Sequence, residues 1–123
     1  MARNIELLEK LYRVMDEDHR RIDMSVWGRR NSGESDCGTT GCAAGWTAML
    51  SGRKLYWSGS DSRLGGIAND HGTAWTTVSH YAKEALGLSY EEAHLVFHNT
   101  SDEDILPMLK KLIAGEDILV YDQ

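Results

Sequence analysis

The sequence contains few of the residues that mark several common protein classes. Among its 123 residues are two cysteines, one proline and one phenylalanine, and no run approaches the roughly 18 consecutive apolar residues of a membrane helix. Two cysteines are too few for the disulfide framework of a small secreted domain. The first ten residues lack the apolar core of a signal peptide. These absences predict a cytoplasmic protein that does not enter a membrane.

The length and composition fit one ordinary globular domain. A domain of this size buries roughly two-thirds of the surface that its unfolded chain exposes, and it folds without a metal or a disulfide. The chain is 41% apolar and 26% charged, which is typical of a soluble protein. We therefore expect residues 1–123 to form a single domain without a cofactor.

Acidic residues are concentrated in the last third of the chain. The formal net charge is −6, and residues 84–123 hold 2 of the 13 Lys and Arg residues but 9 of the 19 Asp and Glu residues. Basic residues are what neutralise the phosphates of a nucleic acid, so direct nucleic acid binding is disfavoured. The acidic third either keeps the protein soluble or attracts a basic surface of a host or cellular protein. In the second case the candidate contacts are Asp102, Glu103 and Asp104.

The first half of the chain predicts two helices separated by a polar loop. Apolar residues at three- and four-residue spacing follow Asn4, a suitable N-cap, and indicate an amphipathic helix over residues 5–16. Thr39 or Thr40 is placed to cap a second helix over residues 42–50. That helix is apolar almost all round, so it should lie at the centre of the fold.

The second half predicts three more helices. One is expected over residues 73–86, and another over residues 90–98, where Ser89 and Glu92 have the spacing of a capping box. A fifth begins with residues 101–104. Left-handed glycines are expected at three helix ends: Gly52, Gly87 and Gly115. The predicted fold is mainly α, a compact single-domain bundle of about five helices, and the pattern allows a short β-hairpin around residues 54–67.

Three segments together resemble a group of known sequences. They are I-D-M-S-x-W at residues 22–27, C-G-T-x-x-C-x-A-G-W at residues 37–46 and A-L-G-L-S-x-E-x-A at residues 85–93, where x is any residue. The arrangement is similar to a group of small uncharacterised proteins of actinobacteria, other bacteria and bacteriophages. The resemblance implies a shared fold over residues 5–115 and a phage or bacterial setting. It implies no catalytic residues, because the group has no assigned activity.

Cys42 is the candidate nucleophile. It stands at the start of the helix predicted over residues 42–50, where the helix dipole lowers a thiol pKa and favours the thiolate. Cysteine hydrolases and transferases pair such a thiol with a histidine that acts as general base. His71 and His80 are the candidate bases. The alternative is a small buried cysteine that packs between helices.

Two pairs of residues have the ligand types and spacing that zinc sites permit. Four residues separate Cys37 from Cys42, and His94 and His98 lie one helical turn apart on one face. Together they would make a Cys2His2 site in a zinc-stabilised interaction domain. The interval between the pairs is far longer than in a compact zinc finger. We therefore expect no metal, with these four residues as weak candidates.

The aromatic residues indicate a recognition surface. The chain contains four tryptophans and five tyrosines but one phenylalanine. Amphipathic rings near loops are enriched at interfaces. Trp46 is expected in the core, whereas Trp75 lies near a loop. The candidate partner-binding residues are Trp27, Arg53, Tyr56 and Trp57. The alternative is that these rings only cover a helical core.

The favoured interpretation is a small non-enzymatic binding or regulatory protein, encoded by a phage and acting on a bacterial host protein. Its small size, its aromatic residues near loops and its acidic last third favour this function, and no decisive catalytic constellation opposes it. One alternative is a small hydrolase or transferase that uses Cys42 with His71 or His80. The other is the zinc-stabilised domain.

Overall fold

The computed structural model describes residues 3–24, 27–28, 40–58, 63–69 and 74–119. Within these ranges the helices are α1 (Ile5–Glu17), α2 (Ala43–Met49), α3 (Val78–Leu86), α4 (Tyr90–His98) and α5 (Ile105–Ile113). The strands are β1 (Leu55–Ser58), β2 (Arg63–Ala68) and β3 (Trp75–Thr76), and they form one antiparallel sheet in that order. The predicted mainly helical fold is confirmed, and the sheet is one strand larger than the predicted hairpin.

The first helix begins and packs as its sequence predicts. The Asn4 side chain accepts a hydrogen bond from the Leu7 amide at 3.1 Å and so caps α1. The Asn4 amide donates to the Leu86 carbonyl at 2.9 Å, which ties the start of α1 to the end of α3. The apolar face of α1 is fully buried and consists of Leu8, Leu11 and Met15. This face packs into the same hydrophobic cluster as α5.

The central helix is capped by a different residue from the one predicted. Thr39 lies outside the described residues, and Thr40 does not cap α2. The N-cap is Cys42, whose Sγ accepts the Gly45 amide at 3.4 Å. The predicted central position is confirmed, because most residues of α2 are buried: Ala43, Ala44, Gly45, Thr47 and Ala48.

Trp46 lies at the edge of the core rather than inside it. The ring is half-buried and packs against the buried cluster. Its indole N–H donates to the Arg21 carbonyl at 2.8 Å. The Arg21 guanidinium in turn donates to the Val14 carbonyl of α1 at 2.9 Å. Trp46 and Arg21 therefore link α2 to the end of α1.

The predicted β-hairpin is confirmed, and β3 extends it. Tyr56 of β1 lies opposite Gly66 of β2, and Trp75 of β3 lies opposite Ala68 of β2. The side chains of Leu64 and Ile67 belong to the buried hydrophobic cluster, so β2 anchors the sheet to the helices.

The third helix starts later than predicted. It begins at Val78 and not near residue 73, because Trp75 and Thr76 form a strand. Trp and Thr favour strands, and here that preference prevails over the helical pattern. Thr77 follows directly and caps α3, its hydroxyl accepting the His80 amide at 3.2 Å.

The connection from α3 to α4 follows the predicted capping box. The Ser89 hydroxyl accepts the Glu92 amide at 3.2 Å, and the Glu92 carboxylate accepts the Ser89 amide at 3.0 Å. Arg3 also pairs with Glu92 at 2.7 Å. Partial burial acts to raise the pKa of Glu92, but the Ser89 amide and the Arg3 guanidinium together hold it below its usual value.

The last helix begins after the acidic turn rather than within it. Residues 101–104 form a turn, and α5 starts at Ile105. The buried face of α5 consists of Ile105, Leu109 and Leu112. The three expected left-handed glycines all have positive φ: Gly52, Gly87 and Gly115.

Candidate functional site

Two exposed aromatic rings meet on the outer face of the sheet. Tyr56 of β1 and Trp75 of β3 are 52% and 53% exposed. Their ring centroids lie 5.9 Å apart, and the ring planes meet at 67°. The two rings therefore form a corner rather than a flat platform.

Small residues on the central strand allow these rings to reach each other. Residues that lie opposite one another in an antiparallel sheet share a face, so Tyr56, Gly66, Ala68 and Trp75 face the same side. β1 and β3 flank β2, so about two strand spacings of 4.7–4.9 Å separate them. A Cβ on Gly66 would lie 3.3 Å from the Thr76 carbonyl oxygen and 4.0 Å from the Trp75 ring. The small side chains of β2 thus leave the space above that strand to the two rings.

The rings form the wall of an open cleft of about 590 Å³. The described residues that line it are Tyr56, Gly65, Gly66, Trp75, Thr76 and Thr77. None of these side chains is charged at neutral pH. Within the part of the chain that the structure describes, neither the Tyr56 hydroxyl nor the Trp75 indole N–H makes a hydrogen bond. The described lining thus offers apolar ring faces and two hydrogen-bond donors that no described residue occupies.

The predicted recognition residues lie in different environments and do not form one surface. Tyr56 lines the cleft, whereas Trp57 is half-buried and packs against the core. The Arg53 guanidinium stacks 4.6 Å from the centre of the Tyr81 ring on α3. Trp75 completes the cleft. From the sequence it was placed near a loop, with the other amphipathic rings, but it was not selected as a partner contact. The β preference of the run Trp-Thr-Thr at residues 75–77 is the signal that could have identified it.

A second groove, of about 260 Å³, lies between α3 and α4. Its described polar lining includes Ser79, His80, Lys83, Tyr90, His94 and His98. The His94 and His98 rings lie 5.2 Å apart, and Tyr90 stacks on His94 at 6.4 Å. Trp27, one of the predicted partner contacts, packs edge-on against His98 with 5.6 Å between ring centroids. Trp27 is therefore part of a row of rings along α4.

The predicted zinc ligands are not brought together in the described ranges. Among the residues described there, no three or more His, Cys, Asp or Glu side chains are placed to hold a metal ion. Cys42 is buried at the start of α2, whereas His94 and His98 are exposed on α4. Cys37 lies outside the described residues. Cys42, His94 and His98 therefore do not form a metal-binding group.

Cys42 is not an activated thiol. Its side chain is 1% exposed, and its Sγ accepts the Gly45 amide and donates to the Trp27 carbonyl at 3.9 Å. Burial raises the pKa of the thiol to about 11, although the Gly45 amide acts to lower it. The expected lowering of this pKa at the helix start was wrong, because desolvation outweighs the backbone N–H groups. Among the described residues, His80 is exposed on α3 and forms no hydrogen bond with Cys42. His71 lies outside the described residues.

The acidic turn before α5 is partly used within the fold. The Asp102 carboxylate accepts the Met24 amide at 2.7 Å. The Asp104 carboxylate accepts the Ser101 hydroxyl at 3.0 Å. Glu103 is exposed and contacts no other described residue through a hydrogen bond or an ion pair. Of the three predicted acidic contacts, Asp102 thus has a structural role, and Glu103 is open to a partner.

No helix within the described ranges is both long and apolar enough to cross a bilayer. No protein-family model matches the sequence, and neither curated proteins nor solved structures include one that is detectably similar to it. Function is therefore inferred from the chemistry of the surface itself, where the cleft of Tyr56 and Trp75 has a larger volume than the groove between α3 and α4.

Proposed function

We propose that this protein is a small non-enzymatic binding protein that holds a protein partner in the cleft of Tyr56 and Trp75. The observation that supports this function is the meeting of two half-exposed rings over a glycine, in a cleft whose described lining has no charged side chain. Tyr and Trp are the residues most enriched among those that dominate binding energy at interfaces. A partner that covers both rings removes apolar surface from water, at about 25 cal/mol per Å².

The proposed partner is a host or cellular protein in a bacterial cytoplasm, and the proposed source of the chain is a phage. The resemblance to small actinobacterial and bacteriophage proteins supports this setting. The net charge of −6 opposes binding to a nucleic acid. In this proposal the five helices form one compact bundle that holds the three strands, and so the two rings, in a fixed arrangement.

The chemistry of the described side chains favours binding over catalysis. A cysteine nucleophile reacts as the thiolate. With a pKa of about 11, the Cys42 thiol is protonated at neutral pH. Its position under the Trp27 carbonyl and its low exposure also keep a substrate from reaching it. The hydrolase alternative therefore gains no support from the residue on which it depends.

The test removes each ring and measures the capture of a partner. Tyr56→Ala and Trp75→Ala each remove one wall of the cleft. Tyr90→Ala is the matched control, because Tyr90 is 73% exposed but lies on α4. Immobilised wild-type protein and the three variants are incubated with a bacterial lysate, and bound proteins are quantified by mass spectrometry. We expect at least one protein to bind the wild type and Tyr90→Ala, and to bind each cleft variant at least about tenfold less.

Circular dichroism of each variant confirms that the helices remain. Because both rings of the cleft are half-exposed, we expect all three variants to fold. Equal capture by all four proteins would overturn the proposed function. Loss of capture only with Tyr90→Ala would also overturn it, and would move the binding surface to the groove between α3 and α4.

A further inference from the structure

We propose that the cleft binds a proline-rich segment of the partner in the polyproline II conformation. This inference rests on the proposed function, since it names the part of the partner that the cleft holds. Three features carry it: the angle between the two rings, the unused hydrogen-bond donors and the lack of a charged side chain among the described residues of the lining.

The angle between the rings selects a small ring that can contact both of them. A nucleobase stacks flat against one aromatic face. Tyr56 and Trp75 instead pack edge to face, with their planes at 67° and their centroids 5.9 Å apart, so that their remaining exposed faces meet at a corner. A pyrrolidine ring is small and puckered, so it can fill the corner and touch both faces. Aromatic-lined grooves are the usual receptors of proline-rich segments.

The polar groups of the cleft match the backbone of such a segment. A polyproline II helix has no internal hydrogen bonds, so its carbonyl groups remain free to accept. A proline residue has no N–H to donate. The cleft supplies the missing donors, because the Trp75 indole N–H and the Tyr56 hydroxyl make no hydrogen bond with the described residues. The segment offers acceptors where the cleft offers donors.

The absence of charge from the described lining of the cleft disfavours the competing classes of ligand. The described lining contains no charged side chain. A nucleic acid requires Lys and Arg to neutralise its phosphates, and a charged peptide would leave its charges unpaired beside apolar rings. A proline-rich segment carries no charge. It is also extended before it binds, so little conformational entropy is lost on association.

The corner that Tyr56 and Trp75 form depends on the residue beneath it. Gly66 lies opposite Tyr56, and a Cβ there would approach both the Thr76 carbonyl and the Trp75 ring. Gly66→Val would place a branched side chain in the corner that the pyrrolidine ring fills. Because its Cβ would lie 3.3 Å from the Thr76 carbonyl oxygen, β3 must shift by a few tenths of an ångström to admit it. Valine favours strands, and circular dichroism of Gly66→Val checks that the fold remains.

The experiment titrates the 123-residue protein with a decaproline peptide and follows the four tryptophan indole N–H resonances by NMR. Trp75→Phe assigns the Trp75 signal. We expect decaproline to shift the Trp75 resonance and to leave that of Trp46 in place, because the Trp46 N–H is already bonded to the Arg21 carbonyl. A glycine-serine peptide of equal length, oligothymidine and a cello-oligosaccharide are the comparison ligands. Tyr56→Ala and Gly66→Val should weaken decaproline binding at least tenfold, and Tyr90→Ala should not.

The outcomes separate this inference from the proposed function. A Trp75 resonance that does not move with decaproline, or that moves as much with oligothymidine or the oligosaccharide, overturns the inference. If lysate capture requires Tyr56 and Trp75 but decaproline does not compete with it, the inference fails and the proposed function stands. If decaproline binds but lysate capture is independent of both rings, the proposed function fails and only the ligand chemistry of the cleft remains.

Discussion

The carbonyl oxygen of Trp27 packs directly against Gly45 of α2. A Cβ on Gly45 would lie 1.3 Å from that oxygen, far inside the 3.0 Å that real Cβ atoms keep. The Cys42 thiol donates to the same carbonyl, and the Trp27 ring packs edge-on against His98 of α4. A glycine is therefore needed at residue 45 because the Trp27 backbone leaves no room for a side chain, and not because of the conformation of α2. Trp27 also connects α2 to α4.

Gly45→Ala should strongly destabilise the protein, because either Trp27 or α2 must move to admit the methyl group. We expect the free energy of unfolding to fall by about 3 kcal/mol, at the upper end for overpacking. Gly52→Ala is the control. Gly52 has φ +76°, and a Cβ added there would have no atom within 4 Å. The free energy of unfolding of Gly52→Ala should therefore fall by about 1 kcal/mol, from the left-handed backbone alone. Urea unfolding measures both values, and equal losses would contradict the contact between Trp27 and Gly45.

The Cys42 thiol should make stability depend on pH in the alkaline range. Burial raises its pKa from 9.0 to about 11. Above pH 9 the unfolded chain releases the thiol proton while the folded chain keeps it, so stability falls as the pH rises from 9 towards 11 and is unaffected below pH 9. The quantity to measure is the difference between wild type and Cys42→Ala, because other groups titrate in the same range.

Between neutral pH and pH 11, we expect the free energy of unfolding of the wild type to fall by about 2 kcal/mol more than that of Cys42→Ala. Urea unfolding at each pH provides the values. A pH dependence that is the same in both proteins would contradict the buried thiol. Rapid labelling of native Cys42 by iodoacetamide at neutral pH, detected by peptide mass spectrometry, would contradict it as well.

Asp102 and Glu103 should differ in their effect on stability although they are neighbours in an exposed turn. Asp102→Ala removes the acceptor of the Met24 amide, and we expect a loss of about 1 kcal/mol, since the bond is exposed to solvent. Glu103→Ala should change stability by less than about 0.5 kcal/mol. Thermal unfolding compares the two variants. If Glu103→Ala lowered the stability as much as Asp102→Ala, the structural role of Asp102 would be contradicted.

Local signals predicted the helices well where a cap and an apolar face coincide. Asn4 caps α1, and the Ser89–Glu92 capping box precedes α4, as predicted. These signals operate within one turn of helix, so a single segment contains all the information. The predicted start of α3 was wrong, because Trp75 and Thr76 pair with Ala68 and Ile67 of β2. That pairing requires a partner strand whose position no local pattern specifies.

For the same reason, only one of the two rings of the cleft was predicted from the sequence. Tyr56 was selected from its aromatic type and its neighbouring cations, whereas the second wall of the cleft is Trp75, nineteen positions later in the chain. Cys42 was correctly placed at the start of α2, but its pKa follows from burial beneath Trp27 rather than from the helix terminus. Burial and cross-strand contact depend on distant segments.

The order of residues along the chain was sufficient to establish the caps of α1 and α4, the left-handed glycines and the apolar faces of the helices, because hydrogen bonds and side-chain spacing within a turn depend on near neighbours alone. The tertiary structure alone placed Trp75 beside Tyr56, set Trp27 on Gly45 and buried the Cys42 thiol. Each of these contacts joins segments that are far apart in sequence. Their geometry is decided when the sheet and the helices pack around one hydrophobic core, which is the stage at which desolvation and steric exclusion act.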